Sequence, residues 1–249
     1  MLLYPEHKET VVKKMDNLSQ SQLDAILSQK ILQAFENGNF EASRLIFKDL
    51  NLSGLNFREF KTVKADFVNV NLSGTNLSKV FFEQSKFISV NFTEAILEEA
   101  SLDQSQISDC NLSYSKLGKA NLNSLRAYRS NFMSVDGLGA SLIKADFQDC
   151  NFQEANFEES IAARASFIRS FLQRSIFCHT DLRVSQFINS DLRFCNLYNA
   201  NISNSKFIES MLFGFNIKGA ITTDSVGIKV DLSPQGDASN MIEELFFET

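Results

Sequence analysis

Cys178 and His179 are the adjacent pair whose side chains could support nucleophilic chemistry. A thiol beside an imidazole can act as a nucleophile that a general base activates. Adjacent outward-facing side chains rarely reach each other, however, and no third group is evident that would orient the imidazole. The sequence holds one other histidine, His7. We therefore expect no catalysis from this pair and interpret the protein as non-enzymatic.

Motifs for metals and cofactors are absent from the sequence. It contains no HxxH or CxxC motif, and no group of carboxylates has the spacing of metal ligands. It also lacks the glycine-rich GxxxxGK[ST] and GxGxxG motifs that bind phosphate groups. We therefore expect neither a metal nor a cofactor.

Length and composition indicate a protein that stays in the cytoplasm. The chain has 249 residues, of which 44% are hydrophobic, and this is enough for one large domain or two small ones. No apolar run approaches the roughly 18 residues of a transmembrane helix. The first residues, 1–7, are too polar for a secretory signal peptide. We expect no contact with a membrane.

Phenylalanine is unusually frequent, with 24 residues, and its positions reveal a period of five along the chain. From Phe47 to Ile217, 31 of the 35 positions that lie five residues apart hold Phe, Leu or Ile. From Ala65 to Ser210, the position two before each such centre is Ala, Ser, Cys, Thr or Val, except at Leu125. A period of five fits neither a helix nor a strand. It predicts a coil with flat sides, in which each pentad sends one small and one large residue inward.

Four centres are small and test this interpretation. Thr62 follows Phe60 by two residues, so the large and the small residue exchange places and the core volume is roughly kept. The same inversion recurs at Ala127. Gly137 and Ala162 have no such compensation, and there we expect local narrowing or a bulge.

Three of the four cysteines fall on the small inward position of their pentads. Cys110, Cys150 and Cys195 are therefore interpreted as small core residues. Buried, unpaired thiols are typical of a reducing compartment such as the cytosol.

The pattern, in segments such as Ala65-Asp66-Phe67 and Ala155-Asn156-Phe157, resembles the A(D/N)LXX repeat of pentapeptide repeat proteins. The resemblance covers residues 47–217 without an insertion or deletion. It implies an all-β solenoid, namely a right-handed quadrilateral β-helix with four pentads in each coil. Thirty-five pentads would then form nearly nine coils, a rod of about 42 Å at the spacing of neighbouring strands.

We divide the chain into an N-terminal helical cap (1–45), a pentapeptide-repeat β-helix (46–219) and an acidic C-terminal tail (220–249). Apolar residues at helical spacing before Asn37-Gly38 predict the cap, with a partner-binding helix as the alternative. In the tail, a short helix after Ser239 could cover the last coil or contact a second subunit. Its apolar residues are Met241, Ile242, Leu245, Phe246 and Phe247.

With four pentads in a coil, residues 20 apart would stack on one side of the rod. Six asparagines from Asn51 to Asn151 then form one column, which we interpret as a structural amide ladder. Apolar residues at outward positions cluster in the C-terminal third, and an exposed cluster of this kind usually marks an interface. The tail, a second copy of the chain or a foreign protein could cover it. The cluster consists of Ile168, Phe171, Ile188, Phe194, Ile208, Met211 and Phe213.

The function that we predict is a non-enzymatic protein-protein interaction module with an unknown protein partner. A homodimer through the C-terminal end is an alternative arrangement. Some pentapeptide repeat proteins protect DNA gyrase by resembling DNA, but residues 51–219 carry 17 acidic and 17 basic residues, so gyrase is disfavoured. Direct binding of nucleic acid is disfavoured because no basic stripe exists. A secreted bacterial effector is a further alternative.

Overall fold

A computed structural model describes residues 45–227 of the chain. Within this range, nine short strands stack in sequence order into one sheet, and each strand pairs in parallel with the next. Paired residues such as Phe47 and Phe67 stand one coil apart, so one coil takes 20 residues. The strands are β1 (Ile46–Lys48), β2 (Asp66–Val68), β3 (Lys86–Ile88), β4 (Gln106–Ser108), β5 (Arg126–Tyr128), β6 (Asp146–Gln148), β7 (Ser166–Ile168), β8 (Gln186–Ile188) and β9 (Lys206–Ile208).

The strands form side 1 of the rod, and three further columns of parallel bridges form the other sides. Side 2 begins with the bridge from Asn51 to Asn71, side 3 with the bridge from Asn56, and side 4 with the bridge from Lys61. Each pentad therefore supplies one side of the coil. Residues 45–227 form an all-parallel β-solenoid, which confirms the architecture that the period of five predicts.

The corners of the solenoid place every fifth residue in the left-handed backbone region. Val184 has a φ of 63° there, although a β-branched residue avoids this region. The corner is held by hydrogen bonds between coils, because the backbone N–H of Val184 donates to the carbonyl oxygen of Ser203 at 2.9 Å. Most corner residues are not glycine, so the stacking of coils, more than residue type, fixes the turns.

The interior is a stack of large apolar side chains framed by small ones. The rings of Phe147, Phe167, Phe187 and Phe207 stack in consecutive coils with centroids 4.9 to 5.1 Å apart. Most small polar residues at the other inward position satisfy their hydroxyls by hydrogen bonds to the backbone. Ser105, for example, donates to the carbonyl oxygen of Phe82 at 2.6 Å. Within residues 45–227, the buried hydroxyls of Ser115 and Ser160 at the same inward position have no hydrogen-bond partner.

The four small centres behave in two ways. Phe60 is buried together with Thr62, and Ala127 is buried beside its large partner two residues earlier, which confirms the exchange of places. The expected bulge at Gly137 and Ala162 is wrong, because the neighbouring bridges from Asp136 and Ile161 keep the 20-residue register. The Phe157 ring of the next coil occupies the space, and a Cβ on Gly137 would lie 2.5 Å from it.

The helices predicted within the caps at 1–45 and 220–249 lie outside the described residues. At the C-terminal end, the bridges from Asn201 to Ile221 and from Lys206 to Val226 carry the solenoid past the boundary at 219. Residues 45–227 hold no helix with the length and hydropathy that crossing a membrane requires.

Candidate interaction surface

The middle column of side 2 changes character along the rod. From Asn51 to Asn151 it is a ladder of asparagines, in which the amide of Asn71 donates to the side-chain oxygen of Asn51 at 3.0 Å. The Asn71 oxygen also accepts the backbone N–H of Ser73 at 3.1 Å. Amide-to-amide hydrogen bonds join three of the five steps of the ladder, and the Thr93 hydroxyl bridges Asn91 and Asn111. These bonds support the structural interpretation of the ladder.

Beyond Asn151 the same column continues with Phe171, Asp191 and Met211. The side chains of Phe171 and Met211 are 51% and 52% exposed. Large apolar side chains here replace amides that could have extended the ladder. No described residue covers them. This column is therefore polar toward the N-terminal end, and toward the C-terminal end it exposes apolar side chains on either side of the buried Asp191.

The corner between sides 2 and 3 carries two aromatic residues that contact each other. The rings of Phe194 and Phe213 meet edge to face, with centroids 5.4 Å apart and an interplanar angle of 85°. Gly214 makes room for this pair, because a Cβ there would lie 2.4 Å from Cδ1 of Phe194. Phe194 remains 52% exposed and Phe213 40% exposed.

The other corner of side 2 carries the isoleucine column that the sequence predicts. Ile168, Ile188 and Ile208 pair in register in β7, β8 and β9. Ile208 is 42% exposed, whereas the other two are partly buried. The structure thus brings the seven predicted residues onto side 2 and its two corners. We call these seven residues the apolar surface.

A groove of about 330 Å³ adjoins the apolar surface, and the sequence reasoning missed it. The sequence does contain a pattern that marks the groove, because the lining residues recur every 20 positions in two neighbouring columns. The apolar outward positions do not reveal the groove, however, because most of its lining is polar. The groove is lined by Met133, Gln153, Glu154, Gln173, Arg174, Arg193 and Phe194.

Asp191 fixes the C-terminal wall of this groove. Its carboxylate is 3% exposed and accepts hydrogen bonds from Arg193, the shortest at 2.6 Å, and from the Gln173 amide at 2.5 Å. Burial alone would raise the pKa of this carboxyl, but the hydrogen bonds and charge of Arg193 hold it below its ordinary value. Asp191 therefore stays ionised and holds the guanidinium of Arg193 at the rim.

Arg174 lies in the same groove with a looser partner. Its guanidinium is 3.9 Å from the carboxylate of Glu154, and its side chain is 70% exposed. An exposed pair at this distance contributes little to stability. The guanidinium of Arg174 therefore has donors free for a ligand beside the exposed ring of Phe194.

Cys178 and His179 do not form a nucleophile and base. The Cys178 side chain is 8% exposed, and its burial and the charge of Glu158 raise the pKa of the thiol. His179 points outward and contacts the Tyr198 ring edge to face at 5.7 Å. The thiol therefore stays protonated at neutral pH and lacks thiolate character.

The remaining chemistry-bearing residues fit the core interpretation. Cys110, Cys150 and Cys195 are free and buried, and burial raises the pKa of each thiol to about 12. Between residues 45 and 227, no group of histidine, cysteine and carboxylate side chains could hold a metal ion.

Along one corner of the rod, acidic residues are paired with basic ones. Arg129 binds Asp109 at 2.7 Å, and Arg169 binds Asp149 at 2.7 Å, so acids and bases alternate along one corner. The guanidinium hydrogen bonds lower the pKa of both carboxyls. This corner offers no continuous acidic stripe of the kind that a DNA-like surface needs.

The fold and the surface define a parallel β-solenoid repeat protein with an exposed apolar surface at one end of one side. A family model described as pentapeptide repeats (eight copies) matches residues 65–104, 85–123, 140–177 and 180–219. The chain belongs to the pentapeptide repeat family. A comparison with curated proteins finds no match.

The chain is similar to several solved structures. One is HetL from the cyanobacterium Nostoc sp. strain PCC 7120, a pentapeptide repeat protein involved in heterocyst differentiation regulation. It is 20% identical to this chain, and the match covers 78% of this chain and 96% of HetL with a TM-score of 0.36. A trypsin-treated form of QnrB1, a plasmid-mediated fluoroquinolone resistance protein, is 21% identical over 76% of this chain and 91% of its own, with a TM-score of 0.47. Rfr23 from the cyanobacterium Cyanothece 51142 is 19% identical over 80% and 97%, with a TM-score of 0.22.

Proposed function

We propose that this protein is a non-enzymatic interaction module that binds a protein partner through the apolar surface of side 2. The observation that carries the proposal is the change in one column from a hydrogen-bonded asparagine ladder to the exposed Phe171 and Met211. Apolar surface that no neighbour covers costs free energy in water. Such a surface on a rigid scaffold is the expected place for a partner.

The chemistry of the surface favours a protein as the partner. Aromatic residues, methionine and arginine are the types that interfaces enrich, and all three occur here, in Phe194, Met211 and Arg193. The edge-to-face pair of Phe194 and Phe213 is fixed by packing. Binding therefore orders few side chains and loses little conformational entropy.

The alternative of a DNA mimic that binds gyrase gains no support from the charges. Residues 51–219 carry as many basic as acidic residues. The pairs of Asp109 with Arg129 and of Asp149 with Arg169 neutralise one corner locally. A gyrase supercoiling assay with and without a fluoroquinolone tests the alternative directly, and we expect no inhibition and no protection.

The test of the proposal compares Phe171→Ser with Phe81→Ser. Phe81 is also an exposed phenylalanine in a bridge column, but it lies on side 4 near the other end of the rod. Each variant is used as bait in native cells, and recovered proteins are quantified against the unchanged chain. We expect Phe171→Ser to lose a specific partner that Phe81→Ser retains. Equal recovery by both variants contradicts the proposal.

A further inference from the structure

We propose that residues 241–248 of this chain dock on the apolar surface and its groove and compete there with the protein partner. The inference rests on the proposed function, since it names the regulation of the same surface. It commits to one occupant, the segment Met241–Glu248. Its support comes from where the chain leaves the described structure and from the chemistry of the surface and the segment.

The path of the chain leads toward side 2. Val226 bridges to Lys206 on side 1, and the described chain reaches Gly227 directly beside Phe207. In every earlier coil, the residues after this point turn the corner onto side 2, as Ile208 leads to Met211. The described chain therefore ends on side 1, next to the corner that borders the apolar surface.

The length of the connection is sufficient. Gly227 and Met241 are 14 residues apart, and an extended chain of that length reaches about 46 Å. The apolar surface spans two coil steps from Phe171 to Met211, which is about 10 Å at the spacing of parallel strands. A connection this short also gives the segment a high effective concentration at the surface.

The segment complements the surface in polarity, and its carboxylates suit the free N–H donors of Arg174. It offers Leu245, Phe246 and Phe247 to an apolar surface, flanked by Glu243, Glu244 and Glu248. The rim of the groove offers two partly exposed guanidinium groups, each of which faces one carboxylate, Glu154 at 3.9 Å and Asp191 at 2.6 Å. Carboxylates accept hydrogen bonds from guanidinium groups well. The rim residues are Arg174 and Arg193.

A photo-crosslinking experiment on the full chain tests the docking. p-Benzoylphenylalanine replaces Phe246, the purified protein is irradiated, and the linked residue is found by mass spectrometry. We expect a link within one chain to the apolar surface or the groove lining. A link to another side, no link, or a link to a second copy overturns the proposal, and the last result identifies a dimer contact instead.

Two charge variants sharpen the result. Arg174→Glu places a negative charge beside the acidic segment, and we expect the crosslink yield to fall about two- to fivefold, the worth of one exposed ion pair. Arg164→Glu is the control, because Arg164 is also an exposed corner residue but lies on side 4. Equal yields from the two variants contradict a role for the groove rim.

The competition is tested separately from the proposed function. Phe246→Ser combined with Phe247→Ser should increase recovery of the partner that Phe171→Ser loses. If Phe171→Ser loses the partner but the combined variant recovers no more of it than the unchanged chain, the docking inference fails and the proposed function stands. If Phe171→Ser loses nothing, the proposed function itself fails.

Discussion

The ring of Phe194 lies where a side chain on Gly214 would stand, one coil further along the same corner. A Cβ on Gly214 would be 2.4 Å from Cδ1 of Phe194. The glycine thus supports the position of an aromatic ring that also meets Phe213 edge to face at 5.4 Å. The exposed aromatic pair therefore keeps its arrangement because residue 214 in the next coil is a glycine, which leaves space for the Phe194 ring.

Gly214→Ala should therefore damage the apolar surface without removing any of its residues. Both Gly214 and Gly74 have left-handed φ angles, of 69° and 62°, so alanine costs about 1 kcal/mol of backbone strain at either site. Only at Gly214 must an aromatic ring also move. We expect Gly214→Ala to lower partner recovery and Gly74→Ala to leave it unchanged. Similar partner recovery from both variants would show that the position of the Phe194 ring does not affect binding.

Gly137→Ala should destabilise the core, because the Phe157 ring fills the space of the missing side chain. Gly137 does not have a positive φ, so its cost is steric. Overpacking of a core costs about 1–3 kcal/mol. Phe157→Leu leaves room for the new methyl group, so the two losses should be less than additive. Denaturation midpoints of the single and double variants measure this, and strict additivity contradicts the packing account.

Asp191→Asn should lower stability more than Asp181→Asn. Each aspartate pairs with an arginine two residues later, Arg193 or Arg183, at 2.6 and 2.7 Å. The Asp191 side chain is 4% exposed and that of Asp181 25% exposed. The Asp191→Asn change leaves the Arg193 guanidinium without its anionic partner at a site where water can replace the lost hydrogen bonds less readily. Urea midpoints at neutral pH give the order of the two losses, and an inverted order would contradict it.

Acid should weaken the solenoid through the same carboxylates. Burial raises the pKa of the Asp191 carboxyl, but the hydrogen bonds and charge of Arg193 outweigh this and lower it in the folded state. The stability that Asp191 contributes is therefore complete above its unfolded-state pKa and is lost as the pH falls through its folded-state pKa. Hence the stability of the wild type should decline below about pH 4. The Asp191→Asn variant should decline less steeply. Midpoints measured between pH 7 and 3 check this, and parallel curves count against it.

The four cysteines should differ in reactivity toward iodoacetamide. The thiols of Cys110, Cys150 and Cys195 are buried with pKa values of about 12, so raising the pH from about 7 to 9 should not speed their labelling in the folded protein. Cys178 is 8% exposed and should react first. Mass spectrometry of peptides after timed labelling gives the order. Rapid labelling of Cys110 under native conditions would contradict the described core.

The period of five predicts the register and the inward pairs because both depend on residue size alone. Phe60 with Thr62 could be assigned from the sequence, since the pair keeps its total volume. The packing at Gly137 could not, because it depends on how a ring from the next coil turns. The left-handed φ of Val184 could not be predicted from the sequence either, because hydrogen bonds between coils impose it against the preference of valine.

The candidate surface, too, can be predicted from the sequence only in part. The exposed positions of Phe171 and Met211 follow from the period, because the outward column is fixed once the register is known. The groove and the buried state of Asp191 do not follow. They depend on side chains of adjacent coils, such as the Gln173 amide that reaches the Asp191 carboxylate.

The most direct test of the central claim is photo-crosslinking in native cells from position 171. p-Benzoylphenylalanine replaces Phe171 in one strain and Phe81 in another, and the masses of the adducts are compared after irradiation. The account predicts an adduct heavier than the chain, containing one defined protein, from position 171 and not from position 81. Adducts that are identical at the two positions, or no adduct at position 171, would contradict the assignment of side 2 as the binding surface.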